Sequence, residues 1–546
     1  MKRIIQHSVV ALLAILVGAA STSRAQVPKS AYMMRLPNNW TVTEDLDHNA
    51  LLISLQGIAN KSAARLYFIY PDDWPFQFTV PVYEYYRDTR NIKYEELTTI
   101  EEAVEKLGKH AKGYVVWDQS ERTSLIVSFT VAGLEDAIVV SERQIPLMEA
   151  AGLTMIEDFR GKFTGQSDIE IYTWAYEQYW DRTSKKYAIW LGGHAPPQML
   201  PGVADWGIYN SAFFSDLSAN PEHPEELALH KKILSELDPS AVIFGWHPYH
   251  KDTEGQHVSL ISSFALRMEG LNTLPNASFS HQIPVTPGYK FKNNHHVKPD
   301  EVVIPEDKVY ITCIQTDGLG IGAWLKPGRG QIPYAWEVTM NWVWLFPGQM
   351  QFFYDTATEN DYFIGALTGP GYMYPKPIPR DKHVGLIKEA WGLMKKLDLR
   401  VLEMMDYSEG NRYLGNVDVT KEVVDAYYEG MPNAIGFING YGPAHTNDLR
   451  DGKPLLSYDY YLSPTRPESD AVDDLKEVIA LNPQRPYFLT MHVRESSDIE
   501  RVMAILDQVG DDVEIVPLDT YLKMAAAKPT FRIWNLDMAE GDQWRK

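Results

Sequence analysis

Four carboxylic acids in the C-terminal half stand where a chain could do acid–base work. Asp317 follows the apolar run 309–315, Glu337 closes Tyr334-Ala335-Trp336-Glu337, Asp361 lies in Asn360-Asp361-Tyr362-Phe363, and Asp406 follows the run 399–405. Breaking a glycosidic bond takes two such groups, one protonated to assist the leaving oxygen and one ionised to attack or to activate water. Asp317 and Asp406 form the first candidate pair. Glu337 is the best alternative acid, because neighbouring rings desolvate a carboxyl and raise its pKa, and Asp361 is the fourth candidate. Each has a structural alternative: a helix cap for Asp317 or Asp406, an ion pair with Arg329 for Glu337, a turn for Asp361.

Binding chemistry is suggested by Gly369-Pro370-Gly371-Tyr372-Met373-Tyr374-Pro375. The glycines allow unusual backbone angles and the prolines fix φ, so the loop is stiff. If the segment is extended, Tyr372 and Tyr374 point the same way and line one wall, and a wall of phenols suits a sugar's mixed surface. The other reading is a Gly/Pro turn with two core tyrosines. Trp336, Asn439, Tyr441 and His492 complete the expected substrate-binding set. His247-Pro248-Tyr249-His250 offers two metal ligands, yet the proline disfavours a helical pair and no further ligand spacing completes a zinc signature. Solvent-facing loop histidines, or a rim around the sugar site, are expected instead, with no metal and no cofactor. There is no G-x-S-x-G elbow, P-loop or dinucleotide fingerprint.

Elements that would position these groups recur regularly after Lys308. Strands are expected over 309–315, 363–367, 399–405, 434–438, 486–491 and 513–516, with a weaker one near Leu455, and helices over 384–397, 472–480 and 497–509. The alternation predicts a (β/α) barrel, in which residues just past the strands share one face. Upstream, α/β segments are expected over 26–110, 111–200 and 201–300, the last ending in a polar linker, with the barrel over 301–530 and a tail over 531–546. The fold class is therefore α/β and multidomain, with N-terminal α/β segments packed on a C-terminal barrel.

Residues 1–25 carry Lys2-Arg3, an apolar centre and Ser23-Arg24-Ala25, the three parts of a signal peptide cleaved before Gln26. A secreted or periplasmic product without a membrane span is expected. Removal of three basic residues changes the formal charge from −21 to −24, which argues against nucleic acid as a partner. With Cys313 alone, no internal disulfide forms.

The stretch Gly369 to Pro375 fits G-x-G-Y-x-Y-P, and the chain resembles the GxGYxYP putative glycoside hydrolase family of secreted bacterial proteins. The likeness extends to Leu55-Gln56-Gly57, Gly245-Trp246 with Glu254-Gly255, Thr316-Asp317-Gly318, Gly328 through Pro333, and Asn360 through Phe363. It implies an oligosaccharide or polysaccharide substrate. Two other readings stay open: a metal-dependent polysaccharide deacetylase and a glycan-binding protein without activity.

Overall fold

The computed structural model describes residues 27–37, 46–71, 78–192, 202–270, 275–317, 319, 323–410, 415–494 and 497–536. The expected signal segment and its cleavage point lie outside the described residues. Among the described residues no helix is long and apolar enough to cross a membrane.

Three sheets precede the C-terminal one. In the first, Ser30–Arg35 lies between Leu66–Ile69 and Lys93–Leu97, all parallel. In the second, Gly113–Val116 lies between Ala137–Val140 and Met155–Asp158, again parallel. The helix Leu46–Asn60 carries apolar residues on most sides and is accordingly buried along its length apart from His48, packed against the strand Ala137–Val140 and the helix Ala204–Tyr209. Gly57 makes that approach possible, since a Cβ there would meet the Asp205 carbonyl oxygen at 2.8 Å. Gln56 beside it donates to Asn276 Oδ1 at 2.7 Å, so Leu55-Gln56-Gly57 is a packing joint.

The third sheet has parallel strands Phe213–Ser215, Tyr187–Leu191, Val242–Trp246 and Arg267–Gly270. Its far edge comes from the C-terminal part of the chain: Thr368–Gly369 and Gly371–Tyr372 form a small hairpin, and Tyr372 pairs antiparallel with Met268. The histidines of this region divide: His250, beside the exposed Tyr249, faces solvent as expected, whereas others do not. His247 and His257 are buried, the latter against Trp190 and His230, because the helix Glu254–Ser263 turns its apolar side onto the sheet.

The C-terminal sheet runs Lys453–Ser457, Gly436–Asn439, Val401–Met404, Asp361–Ala366, Tyr334–Thr339, Val309–Gln315, Tyr487–Val493, Tyr460–Leu462, all parallel. The short strand Asp448–Arg450 is antiparallel on one edge, and Val513–Ile515 also pairs with Val309–Gln315. As a hydrogen-bonded path it is open, and its two ends, 453–457 and 460–462, are consecutive in sequence. Tyr334–Thr339 is a strand absent from the sequence expectation, where Pro333 and a glutamate obscured it. Alternate residues divide between two cores. Tyr310, Ile314, Ala335, Tyr362, Ile364, Val401, Ile438, Leu456, Tyr458 and Phe488 share one cluster, closed from below by Leu518, Tyr521, Leu522 and Ala525 of the helix Leu518–Ala527. Their neighbours in the strands, such as Cys313, Trp336 and Leu402, belong to the other, larger core.

Candidate active site

Above that smaller cluster, at the C-terminal ends of the strands, the same alternation delivers polar side chains. Glu337 and Glu403 are both fully buried and in hydrogen-bond contact with each other. Burial pushes both carboxyls up, Glu403 to about 7, and the charge of Glu403 raises Glu337 further, well above the ordinary range. The pair therefore keeps a proton to higher pH than an ordinary carboxyl does. Each has one oxygen with an outside donor: Glu337 Oε2 accepts from the Asp317 backbone N–H at 2.8 Å, and Glu403 Oε2 accepts from the Tyr458 hydroxyl at 2.5 Å. The other oxygens, Glu337 Oε1 and Glu403 Oε1, find no donor elsewhere among the described residues, which fits a proton shared between them. Among the described residues neither glutamate has a Lys or Arg partner.

Asp317 stands over this pair. Its φ of +69° turns its N–H down onto Glu337, a left-handed conformation that aspartate tolerates better than most residues. Its carboxylate accepts from the Tyr441 hydroxyl at 2.8 Å and lies 3.0 Å from Arg494, with about 20% of the side chain exposed. His492 fixes Tyr441: its Nδ1 faces the Tyr441 carbonyl and so carries the proton, leaving Nε2 to accept from Thr316 Oγ1 at 2.5 Å. The imidazole also meets the Tyr441 ring edge-on at 4.3 Å. The site therefore has one partly exposed carboxylate with donors, and beneath it a buried carboxyl pair that retains a proton.

Of the sequence candidates, Asp317, Glu337, Tyr441 and His492 meet here. Asn439 is buried at the end of its strand and donates to Ser457 Oγ at 3.1 Å. Asp406 serves another purpose: its carboxylate accepts from the Lys376 N–H at 2.9 Å and from the N–H and hydroxyl of Ser408, with the Lys376 ammonium at 3.5 Å. It anchors the turn after Pro375. Asp361 is at the opposite end of the sheet, as the first residue of a parallel strand must be. It takes the Arg329 ion pair foreseen for Glu337, at 2.6 Å, and holds the turn at Thr358, so its structural alternative is what the fold uses. Trp336 points into the larger core and donates to Asp361 Oδ1 at 2.8 Å. Glu403 was missed, although a lone glutamate within Val401-Leu402-Glu403-Met404-Met405 is a signal in itself, because a strand buried on both faces carries charge only at a cost.

Tyr372 and Tyr374 do not form an open wall. Both are buried between the C-terminal sheet and the third sheet, with both hydroxyls directed at Glu254 and the Tyr372 ring stacked on Trp246 at 6.1 Å. The core reading of these tyrosines is the one realised. Gly371, at φ +147°, is required, since a Cβ would meet Asn341 Nδ2 at 2.9 Å. Among the described residues no group of three or more His, Cys, Asp or Glu side chains is placed to hold a metal ion.

The fold and site define a multidomain α/β protein with parallel sheets and a carboxylate cluster at the strand ends of its last domain. The chain belongs to the GxGYxYP family: its first, second and third N-terminal domain models match residues 32–109, 111–183 and 185–282, and the "GxGYxYP putative glycoside hydrolase C-terminal domain" matches 307–526. Among solved structures, a protein from Bacteroides thetaiotaomicron described as a putative hydrolase superposes with a TM-score of 0.73 at 20% identity. The match covers 92% of this chain and 96% of that one, and it shows a shared fold. A comparison with curated proteins finds no match.

Proposed function

We propose that this protein is an exported glycoside hydrolase whose active site lies at the C-terminal end of a (β/α) barrel. Support for the barrel comes from the segment 453–462. Its first half pairs with Gly436–Asn439 and its second half with Tyr487–Val493, so that one strand split at Tyr458 and Asp459 would close the ring. The shared cluster of Tyr310, Leu456 and Phe488 is what the interior of such a ring would contain.

The observation that carries the function is the proton-sharing pair Glu337 and Glu403 directly beneath Asp317. A merely structural core would be more stable with apolar side chains in place of two unpaired buried acids, whereas hydrolysis needs one acid kept protonated and one kept ionised. Asp317, with Tyr441 and Arg494 as donors, is the ionised member and serves as nucleophile or base toward the anomeric centre. Glu337 is the proton donor to the leaving oxygen, and Glu403 keeps that proton in place. His492 positions Tyr441. The test is release of reducing sugar from a broad panel of oligosaccharides and polysaccharides by the wild type and by Glu337→Gln. Turnover lost on at least one substrate by roughly 10² to 10⁴ fold, with binding retained, is expected. A substrate cleaved equally by both proteins would refute the assignment.

A further inference from the structure

The chain as a whole is strongly acidic, with 72 Asp and Glu against 51 Lys and Arg. At one place the balance is reversed. A cavity of about 380 Å³ at the N-terminal ends of the first sheet's strands is lined by Arg65, Lys93, Lys106 and Lys109, with Glu95 as its single acid. These cations come from three separate stretches: Arg65 precedes the strand Leu66–Ile69, Lys93 opens the strand Lys93–Leu97, and Lys106 and Lys109 lie at the end of the helix Ile100–Leu107 and just beyond it.

Among the described residues none of the four has a carboxylate within 4.0 Å. Lys61 and Lys112, also in the N-terminal half, show the contrast: both take Asp136, at 2.6 and 2.9 Å. Arg65 is held by neutral groups instead, donating to the Ala59 carbonyl at 2.9 Å and to Ser62 Oγ at 2.8 Å, so it is oriented with no carboxylate among the described residues against it. The helix dipole accounts for cations near the helix C-terminus, but not for Arg65 or Lys93. His110 on the same rim is held below the ordinary histidine range by burial and then by the fields of Arg65 and Lys109, which fits one positive potential over the whole cavity.

We propose that this cavity is a binding site for an oxyanion group, a sulfate, phosphate or carboxylate, either free or borne by a small saccharide. Four cations from three stretches of chain on one cavity wall suit a tetrahedral or planar oxyanion, and Tyr32 and Tyr94 on the wall supply apolar ring surface for a sugar body. The site is in the first domain and the carboxylates of the proposed active site are in the last, so it is a separate locus. Its test does not depend on hydrolysis.

The experiment is calorimetric titration of the full-length protein at low and at physiological salt with sodium sulfate, sodium phosphate, glucuronic acid and glucose 6-sulfate, and with glucose as the neutral control. Binding of at least one anion, weakened by salt and absent for glucose, is expected. In the variant Lys93→Ala/Lys106→Ala/Lys109→Ala, which leaves the structural Arg65 intact, affinity should fall by at least about tenfold without a change in melting temperature. Lys476→Ala, on the outer helix Glu468–Leu481, should change nothing. Tighter binding of glucose 6-sulfate than of sulfate identifies a saccharide-borne ligand, while equal binding identifies the free anion. No anion bound at low salt, or affinity unchanged in the triple variant, would overturn the proposal. Failure of glycan cleavage would leave these readings intact, since they are of binding alone.

Discussion

Replacing Glu403 with Gln separates stability from activity with opposite signs. Gln keeps the shape of the side chain and still accepts from the Tyr458 hydroxyl, while its amide donates to Glu337. What disappears is the need to hold an ionisable group without a cation in a dry site. The folded-state pKa of Glu403 is raised from 4.5 to about 7, so the folded protein holds this proton more tightly than the unfolded chain does. The stability that follows is fully present below pH 4.5 and is lost as pH rises to about 7, beyond which the wild type bears the whole cost of the buried charge. A rise from 4.5 to about 7 corresponds to about 3 kcal/mol, an upper bound because Glu337 shares the proton. Glu403→Gln should therefore be more stable than wild type by up to that amount at pH 8, and near equal to it at pH 5. Its turnover should drop by roughly 10² fold or more, since the proton on Glu337 is no longer held by an acidic partner.

Denaturant unfolding at the two pH values, with turnover measured on the same samples, checks both halves. A variant destabilised equally at pH 5 and pH 8 would show that Glu403 is an ordinary structural side chain. Unchanged turnover would remove it from the proton-holding pair, whatever happened to stability.

Asp317→Asn and Asp361→Asn should behave as opposites. The first loses turnover by roughly 10² to 10⁴ fold with little change in melting temperature, while the second leaves Arg329 without its partner and costs about 3 kcal/mol of stability, the usual loss for a broken buried pair, as thermal unfolding and rates would show. Gly371→Ala forces a Cβ against Asn341 and a φ that L-residues avoid, so destabilisation of about 2 kcal/mol is expected in a melting experiment, and a neutral result would discard the close approach inferred there.

How far the sequence revealed this structure depended on how local the signal was. Strand and helix alternation after Lys308 is a local pattern, and the strands at 309–315 and 487–493 lie where their apolar runs place them. The loop glycines and prolines likewise announced a sharp turn at 369–375. Which partner a side chain meets is not local. Arg329 is much nearer in sequence to Glu337 than to Asp361, and only the register Tyr334 against Asp361 puts Asp361 at the sheet end where Arg329 is. Alternation decides the rest. Glu337 and Glu403 lie on the strand face of the smaller cluster while Trp336, next to Glu337, lies in the larger core, which is why the tryptophan beside this acid is no part of the carboxylate cluster.

The motif for which the family is named acquires its meaning from the same reasoning. Tyr372 and Tyr374 sit at a joint between domains, and the bonds around them run back to the strands that carry the acids. Asn341, two residues past Tyr334–Thr339, donates to Glu269 of the third sheet at 2.6 Å and also to the Pro370 carbonyl. Thr368 Oγ1 donates to the Met405 carbonyl at 3.1 Å and accepts from its N–H at 3.0 Å, immediately past the strand of Glu403. Asp406 holds Lys376 on the far side of the motif. The hairpin is thus tied at once to the third sheet and to the ends of the two strands bearing Glu337 and Glu403. Ring contacts then lead from Tyr374 to Tyr407 and from Tyr407 to Tyr441, the residue that holds Asp317. A stiff Gly-Pro-Gly turn with buried phenols suits such a joint, because it fixes the spacing of three strand ends without moving parts. The conformational rigidity of the motif thus bears on the strand ends that carry the carboxylates.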